Sequence, residues 1–133
     1  MPDPLSLRPL LVEHLDWSGW ERLIRVRGVT LDRPYGTPHP RHEAIIYPID
    51  YGYVEDTLGS DGEGLDVFVG SADGNGLVAA LLTRDLRRGD RETKLVYNCT
   101  PEEIYRAHGF VNYDPTLMRG TLVMRRPMRE LWT

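Results

Sequence analysis

Residues 46–69 read IYPIDYGYVEDTLGSDGEGLDVFV. Between two segments rich in aromatic and β-branched residues, this stretch places three carboxylates, Asp61, Glu63 and Asp66, in a glycine-spaced turn. In extended backbone, residues two apart face the same way, and the intervening glycines let the chain turn. The three carboxylates can therefore converge on one small space.

A carboxylate cluster without histidine or cysteine favours Mg²⁺ or Mn²⁺ over Zn²⁺. Mg²⁺ normally keeps several waters and shares its remaining positions with substrate phosphate, so the predicted substrate is a phosphate compound. A solvated acidic turn is the alternative, because Asp and Gly are the usual turn residues. An EF-hand is disfavoured, since the last ligand position counted from Asp61 is Ala72 instead of a glutamate.

A second acidic stretch, TRDLRRGDRETKLV at residues 83–96, carries Asp85, Asp90, Glu92 and Lys94. These residues lie at the end of one predicted strand and the start of the next, where a hairpin can bring them beside the first cluster. Carboxylates that hold metals, with a cation beside a departing anion, are the groups that phosphoryl transfer to water needs. A charged hairpin tip is the simpler alternative.

Length and charge limit the class of protein. The 133 residues, 41% of them hydrophobic, fit one compact domain spanning 1–133. The formal net charge of −4 argues against non-specific binding to nucleic acid or to an anionic membrane. The first residues contain acidic side chains and prolines without an uninterrupted apolar run, so neither a signal peptide nor a membrane span is predicted. Cytoplasmic localisation is the expectation, and the single cysteine, Cys99, is expected to be buried at a strand end.

Short apolar runs, often interrupted by glycine or proline, predict a strand-rich domain of hairpins. Alternation over residues 23–31 predicts a strand, and the prolines of residues 33–43 predict a loop. The clearest helix start has Thr100 as N-cap with Glu103 closing a capping box, and Gly109 is the predicted stop. Further strands are expected in the following segments: 44–54, 65–70, 94–99 and one in the tail.

The stretch YPIDYGYVEDTLGSDGEGLDVFV resembles the soluble family I inorganic pyrophosphatases, whose signature runs Tyr-Pro-x-x-Tyr-Gly-Tyr/Phe, then Thr-Leu, then Asp-Gly-Asp-Pro-x-Asp-Val. The matching positions are Tyr47, Pro48, Tyr51, Gly52, Tyr53, Thr57, Leu58, Asp61, Gly62, Asp66 and Val67. The second acidic stretch is similar to the family's Asp-x(4)-Asp-x-Lys-Leu-Val, with Asp85 and Lys94 aligned. The resemblance thus covers residues 47–96.

This resemblance implies a mainly β (α+β) fold, a small closed five-stranded OB-like barrel with one or two short helices, and assembly into a homo-oligomer. It implies Mg²⁺-dependent hydrolysis of inorganic pyrophosphate to two phosphates by metal-activated water, with Mn²⁺ as a substitute metal. Asp61 and Asp66 would bind metal, and Asp66 would also help to activate the water. Asp85 would bind further metal, Tyr51 would contact substrate phosphate, and Lys94 would neutralise phosphate charge.

The chain departs from the family signature within the first cluster and beside the lysine. Glu63 stands at the family's middle aspartate, and Gly64 replaces the proline after it. The next metal ligand is expected two residues before the lysine, at Glu92, whereas counting forward from Asp85 gives Asp90 as the alternative.

Outside the signature, the substrate-binding residues of the family have weaker counterparts. The family's upstream Lys-x-Glu pair has no aligned counterpart, and Arg33 is our choice for its arginine. Tyr105 and Arg106 stand in for a downstream Tyr-Lys pair that holds phosphate, the alternative being that the tyrosine packs on the barrel and the arginine is solvated. His39 and His42 precede the signature in a proline-rich loop, as a plain surface loop or as a lid over the site.

Two other functions compete with pyrophosphate hydrolysis. The missing upstream pair and the short downstream end can open the pocket to another phosphoanhydride, such as a nucleotide or polyphosphate. Glu63, Gly64 and the absent Lys-x-Glu pair also fit a non-catalytic pseudoenzyme that binds metal or phosphate. That second alternative is opposed by the retained Asp61, Asp66, Asp85 and Lys94.

Overall fold

The computed structural model of the chain describes residues 15–55 and 65–132. They form two α-helices, eight β-strands and one 3-10 helix, which confirms a mainly β fold with two short helices. The elements in chain order are α1 (Trp17–Arg27), β1 (Val29–Arg33), β2 (Pro38–His39), β3 (His42–Ile46), β4 (Asp50–Val54), β5 (Leu65–Val69), β6 (Leu77–Asp85), β7 (Arg91–Tyr97), α2 (Pro101–Val111), β8 (Met118–Met124) and the 3-10 helix (Met128–Leu131). No helix within these residues is long and apolar enough to cross a membrane.

Six strands form the main sheet, in the order β1-β4-β5-β7-β6-β8, while β2 and β3 form a separate hairpin. All neighbours in the main sheet are antiparallel except β5 and β7, which run parallel. The predicted closure of a five-stranded barrel is not confirmed. The sheet has six strands, and across the described residues β1 and β8 form its two edges without pairing with each other.

Alternating side chains of the central strands face two different apolar clusters. Val67 of β5 and Leu95 of β7 pack with α1, whereas their neighbours Phe68 and Val96 pack with α2. All four side chains are fully buried. Because successive residues of a strand point to opposite faces, the helices cover opposite faces of the sheet and leave its strand ends open to form a site.

Helix α1 replaces most of the strand predicted over residues 23–31. Asp16 caps the helix by accepting a hydrogen bond from the Gly19 backbone N–H at 3.2 Å. Trp17, Trp20 and Ile24 recur at helical spacing and pack into one apolar cluster. The apolar alternation of residues 23–27 is therefore part of a helical pattern that begins with the tryptophans, and the strand starts only after Gly28.

The tail and the second helix follow their sequence signals more closely. Thr100 and Glu103 form the predicted capping box, and the predicted strand of the tail is β8. Gly109 does not stop the helix, which continues to Val111. Val111 is buried, so its packing favours the extra turn over the cost of about 1 kcal/mol that an interior glycine carries.

Candidate active site

A cavity of about 740 Å³ opens at the end of the main sheet where β7 begins and β6 ends. Its walls come from β1, the β2–β3 hairpin, β4, β5, the β6–β7 turn and the end of α2. Charged side chains from β1, the hairpin, β5, the β6–β7 turn and β7 face one space, to which β4 adds tyrosines and α2 adds apolar side chains. The cavity is therefore suited to a small, strongly charged ligand.

Lys94 lies at the centre of this cavity with only 8% of its surface exposed. Its Nζ donates to three acceptors: Tyr51 Oη at 2.8 Å, Asp66 Oδ2 at 3.0 Å and Glu92 Oε2 at 3.0 Å. An ammonium group has three hydrogens, so each one has a partner. The only lysine of the chain thus links three of the predicted site residues.

Strand pairing explains why these residues meet. Asp66 and Lys94 are direct partners in the parallel β5–β7 pair, so their side chains leave the sheet on the same face. Glu92 is two residues before Lys94 on β7 and shares that face, as its spacing predicts. Residues 28 apart in sequence are thereby brought into one ion-pair network.

Burial affects Lys94 and Tyr51 in different ways. Burial alone would lower the pKa of Lys94, but the neighbouring Tyr51, Asp66 and Glu92 outweigh it and hold that pKa above its usual value. Burial is the main reason that the pKa of Tyr51 is well above its usual value, with the Asp66 carboxylate acting in the same direction. Lys94 therefore remains an ammonium ion and Tyr51 a neutral phenol at physiological pH.

Arg33 reaches the same cavity from the edge strand β1. Its guanidinium donates a hydrogen bond to the Tyr47 hydroxyl and lies 5.5 Å from the Tyr47 ring centroid and 5.9 Å from that of Tyr51. Although burial opposes it, the bond to Tyr47 raises the pKa of Arg33. The residue chosen from sequence as the substrate arginine thus lies beside two tyrosines of the signature as a permanent cation.

Gly52, in the Tyr-Gly-Tyr part of the signature, allows this approach of β1. A Cβ atom at position 52 would lie 2.0 Å from the Thr30 carbonyl oxygen, well inside any real contact. Only glycine lets β1 pair this closely with β4. The motif glycine therefore has a packing role that brings Arg33 next to Tyr51.

The remaining predicted carboxylates are placed differently. Asp61 and Glu63 lie outside the described residues. Asp85 lines the cavity, but its Oδ1 accepts the backbone N–H groups of Arg87 at 2.9 Å and Arg88 at 3.0 Å, and these bonds lower its pKa. Asp85 thus also stabilises the β6–β7 turn.

Of the two alternatives for the next ligand, only Glu92 contacts Lys94 among the interactions of the described residues. Asp90 pairs with Arg88 at 3.3 Å, with both side chains well exposed. The geometry therefore favours Glu92, the first choice from sequence.

Tyr105 and Arg106 are not brought to the cavity. Tyr105 is 60% exposed, and Arg106 pairs with Glu102 at 2.6 Å on the solvent side of α2. Phe110 and Val111, one turn later, line the cavity instead. The prediction that Tyr105 and Arg106 line the site is therefore corrected. The side of α2 that faces the cavity is apolar.

The β2–β3 hairpin places His39 and His42 in the cavity lining, which argues against the plain surface loop among the two alternatives for these residues. His39 stacks on Tyr47 with ring centroids 6.2 Å apart and planes at 7°, and His42 lies 5.3 Å from His39. Arg41, between them, also lines the cavity, although Arg33 was the upstream arginine chosen from sequence. The signal that was available is the Pro40–Arg41 pair, a turn sequence flanked by residues able to pair across two strands.

Among residues 15–55 and 65–132, no group of three or more His, Cys, Asp or Glu side chains is arranged to hold a metal ion. Asp66 and Glu92 offer two carboxylates that are 27% and 28% exposed toward the cavity. Carboxylate oxygens are the donors that Mg²⁺ prefers, so this pair fits part of a magnesium site.

No protein-family model matches the chain. Solved structures do resemble it. An inorganic pyrophosphatase from Neisseria gonorrhoeae matches with a TM-score of 0.57 and 15% identity, covering 77% of this chain and 87% of that one. The inorganic pyrophosphatase from Helicobacter pylori matches with a TM-score of 0.51 and 17% identity, covering 77% and 86%. That from Thermus thermophilus gives 0.50 and 17%, covering 78% and 86%.

Proposed function

Because the chain has the fold of the inorganic pyrophosphatases, we propose that it hydrolyses inorganic pyrophosphate to two phosphates with the help of a divalent metal ion. The observation that carries the proposal is the buried Lys94 ammonium, held between Tyr51, Asp66 and Glu92 in a charged cavity. A fixed cation beside carboxylates meets the two needs of phosphoryl transfer to water, which are metal binding and stabilisation of the departing anion.

The proposed metal ligands are carboxylates from both acidic stretches: Asp61, Glu63, Asp66, Asp85 and Glu92. Mg²⁺, or Mn²⁺ in its place, would lower the pKa of a bound water and neutralise phosphate charge when present. Of the five, Asp66 and Glu92 are the pair that Lys94 holds together, which supports their central place. Asp66 is also proposed to help activate the attacking water, since it contacts Lys94 at 3.0 Å and its charge acts on Tyr51.

The chain's own cations and hydroxyl have separate proposed roles. Lys94 keeps its charge at physiological pH and so neutralises the charge that the leaving phosphate gains. Tyr51, as a neutral phenol, can donate its O–H to a phosphate oxygen. Arg33 offers a planar fork of N–H donors that matches phosphate geometry. No covalent intermediate is needed.

Phosphate release from pyrophosphate tests this function. Purified protein is incubated with Mg²⁺ and pyrophosphate, with Mn²⁺, a chelator and Asp66→Asn in parallel. Asp73→Asn is the matched control, since Asp73 lies on an exposed turn away from the cavity. We expect release that requires a metal, falls at least about 100-fold in Asp66→Asn and is unchanged in the control.

Two results would contradict the proposal. Full metal-dependent activity in Asp66→Asn would remove the role of that residue. Folded protein that releases no phosphate from pyrophosphate with either metal would remove the function itself. Release from tripolyphosphate or ATP alone would then indicate a larger phosphoanhydride as substrate, and no release from any of them would indicate a binding role.

We also propose that the enzyme acts in the cytoplasm on a small-molecule substrate, without nucleic acid or membrane partners, as a homo-oligomer. Exposed apolar side chains such as Val26, 73% exposed, and Trp132, 65% exposed, support self-association because contact would remove them from water. Light scattering after size exclusion tests the assembly. A monomer at high concentration would contradict it.

A further inference from the structure

The base of the β2–β3 hairpin is closed at Tyr47, the first tyrosine of the signature. Gly36 donates its backbone N–H to the Tyr47 carbonyl at 2.9 Å, and Tyr47 returns a bond to the Thr37 carbonyl at 2.9 Å. These two bonds close the base of the hairpin immediately beside Tyr47, which is buried. The position of the hairpin tip over the cavity is therefore set by its base.

A hydrogen bond at the tip defines which nitrogen of His39 carries the proton. The Arg41 backbone N–H donates to His39 Nδ1 at 3.1 Å. A ring nitrogen that accepts a hydrogen bond has no hydrogen, so the neutral ring has its proton on Nε2. Burial, followed by the charges of Arg33, His42 and Arg41, lowers the pKa of His39, which keeps the ring neutral near pH 7. His39 thus offers one N–H donor from a ring that lines the cavity.

The charged groups that act on His39 are basic, although the carboxylates of Asp32 and Asp114 also line the cavity. In the part of the chain that the structure describes, none of Arg33, His39, Arg41 and His42 forms an ion pair with an acidic side chain. Asp66 and Glu92, on the opposite side of Tyr51, are bound to Lys94. A cavity wall of this kind concentrates anions.

We propose that Arg33, His39 and Arg41 form a phosphate-binding site, here called the hairpin subsite, in which His39 donates its Nε2–H to a phosphoryl oxygen. The inference rests on the proposed function and names the residues of this chain that would hold the second phosphoryl group of its substrate. Ring contacts of 5.3 Å between Tyr51 and Tyr47 and 6.2 Å between Tyr47 and His39 connect Lys94 to the hairpin subsite along one wall. One phosphoryl group binds at Lys94 and the other at the hairpin.

Nitrogen-15 NMR of the imidazole rings tests the subsite directly, with inorganic phosphate as the probe, in the presence and absence of Mg²⁺. We expect His39 in the Nε2–H form, with its Nε2 signal moving in a saturable way as phosphate is added. His108 is the internal control, because it lies on α2 and does not line the cavity. Spectra of His39→Gln and His108→Gln assign the two rings.

Two substitutions at position 39 distinguish the Nε2–H donor to phosphate from the hydrogen bond that Nδ1 accepts within the turn. Asn at position 39 retains an acceptor for the Arg41 N–H but has no group in the place of Nε2–H, whereas Gln places an amide N–H near that position. We expect His39→Asn to weaken phosphate binding about 10- to 100-fold, the worth of one hydrogen bond to a charged group, and to raise KM more than it lowers kcat. His39→Gln should bind phosphate within about 3-fold of the wild-type affinity, because its amide N–H keeps the hydrogen bond to phosphate.

Three results would overturn the subsite: a His39 ring protonated on Nδ1, phosphate binding that leaves the His39 signals in place, or wild-type phosphate affinity in folded His39→Asn. Phosphate that does not bind at all would overturn it as well. Because the titration uses inorganic phosphate and no turnover, its failure is separate from failure of the proposed hydrolysis, which is measured by phosphate release.

Discussion

Lys94 Nζ lies 2.8 Å from Tyr51 Oη, and this contact joins two buried side chains that come from strands with no pairing between them. The phenol thus completes the coordination of an ammonium group whose other two hydrogens go to carboxylates. Charge and packing at the site depend on each other, because neither residue finds an equivalent partner when the other is removed.

Removal of the ammonium is expected to reduce both stability and activity. Lys94→Met leaves Asp66 and Glu92 as neighbouring carboxylates without a cation, which should lower the free energy of unfolding by about 2–3 kcal/mol, less than for a fully buried pair because both keep some exposure. Tyr51→Phe should cost about 1 kcal/mol. Urea unfolding of both variants and of the double variant measures the coupling between them. Additive effects would show that the contact has no energetic role.

Two glycine-to-alanine substitutions should change the free energy of unfolding in opposite directions. Gly52→Ala forces a Cβ onto the Thr30 carbonyl and should lower the free energy of unfolding by about 2–3 kcal/mol. Gly109→Ala meets no atom within 4 Å and lies inside α2, so it should raise the free energy by about 0.5–1 kcal/mol. Thermal unfolding of the pair gives the comparison. Equal effects would contradict the account of the motif glycine.

Glu21 should make stability depend on pH. Its pKa is lowered chiefly by the Leu77 backbone N–H, 2.8 Å away, and further by Arg125 at 2.9 Å, while burial opposes both. A lowered folded-state pKa adds stability that is present above the unfolded value near 4.5 and is lost as pH falls through the folded value. Glu21→Gln should therefore cost about 1–2 kcal/mol at pH 7 and much less at pH 3.

The control for this pH effect is Glu102→Gln, which removes an exposed ion pair with Arg106 and should change stability by less than about 0.5 kcal/mol at either pH. Chemical denaturation at the two pH values measures all three proteins. A Glu21→Gln penalty that is the same at pH 3 and pH 7 would mean that the carboxylate charge does not stabilise the fold.

Cys99 should be inert toward thiol reagents in the folded protein. It is fully buried, and burial, aided by the Glu103 carboxylate, raises the pKa of its thiol far above the usual value. Since the thiolate is the reactive form, labelling with an aromatic disulfide at pH 8 should be slow in buffer and fast in denaturant. Cys99→Ala should keep the phosphate-release activity of the wild type. Rapid labelling of the native protein would argue against this burial.

Local sequence signals predicted the elements whose pattern is self-contained. Three of these signals need only neighbouring residues: the compact run of β5, the Thr100 capping box, and the shared face of Glu92 and Lys94. Helix α1 was mistaken for a strand because a window that starts at residue 23 sees alternation, whereas Trp17 and Trp20 reveal the helical spacing. What decided between the two was packing against the sheet, which no local window contains.

The sequence predicted the residues at the centre of the site better than the elements that surround it. Signature positions gave Tyr51, Asp66 and Lys94, and the structure brings these three together. Tyr105 and Arg106 were assigned by analogy of position after a helix start, but the rotation of α2 on the sheet decides which of its sides meets the cavity. The prolines of residues 33–43 suggested a loop, but Pro38 and His39 pair with β3 and form a hairpin. This pairing places His39 in the cavity lining.

The parallel pairing of β5 with β7 also has a kinetic consequence. Parallel neighbours cannot be joined by a tight turn. Strand β6 therefore lies between β5 and β7 in the sequence, and the chain must pass through it before Lys94 can contact Asp66. The contact between Asp66 and Lys94 therefore closes a long loop, which costs conformational entropy. We expect this loop to close only after the β6–β7 hairpin has formed. During refolding, the Lys94 ion pairs should form among the last contacts, so that the ability to bind phosphate returns later than the strand and helix signals of the rest of the chain.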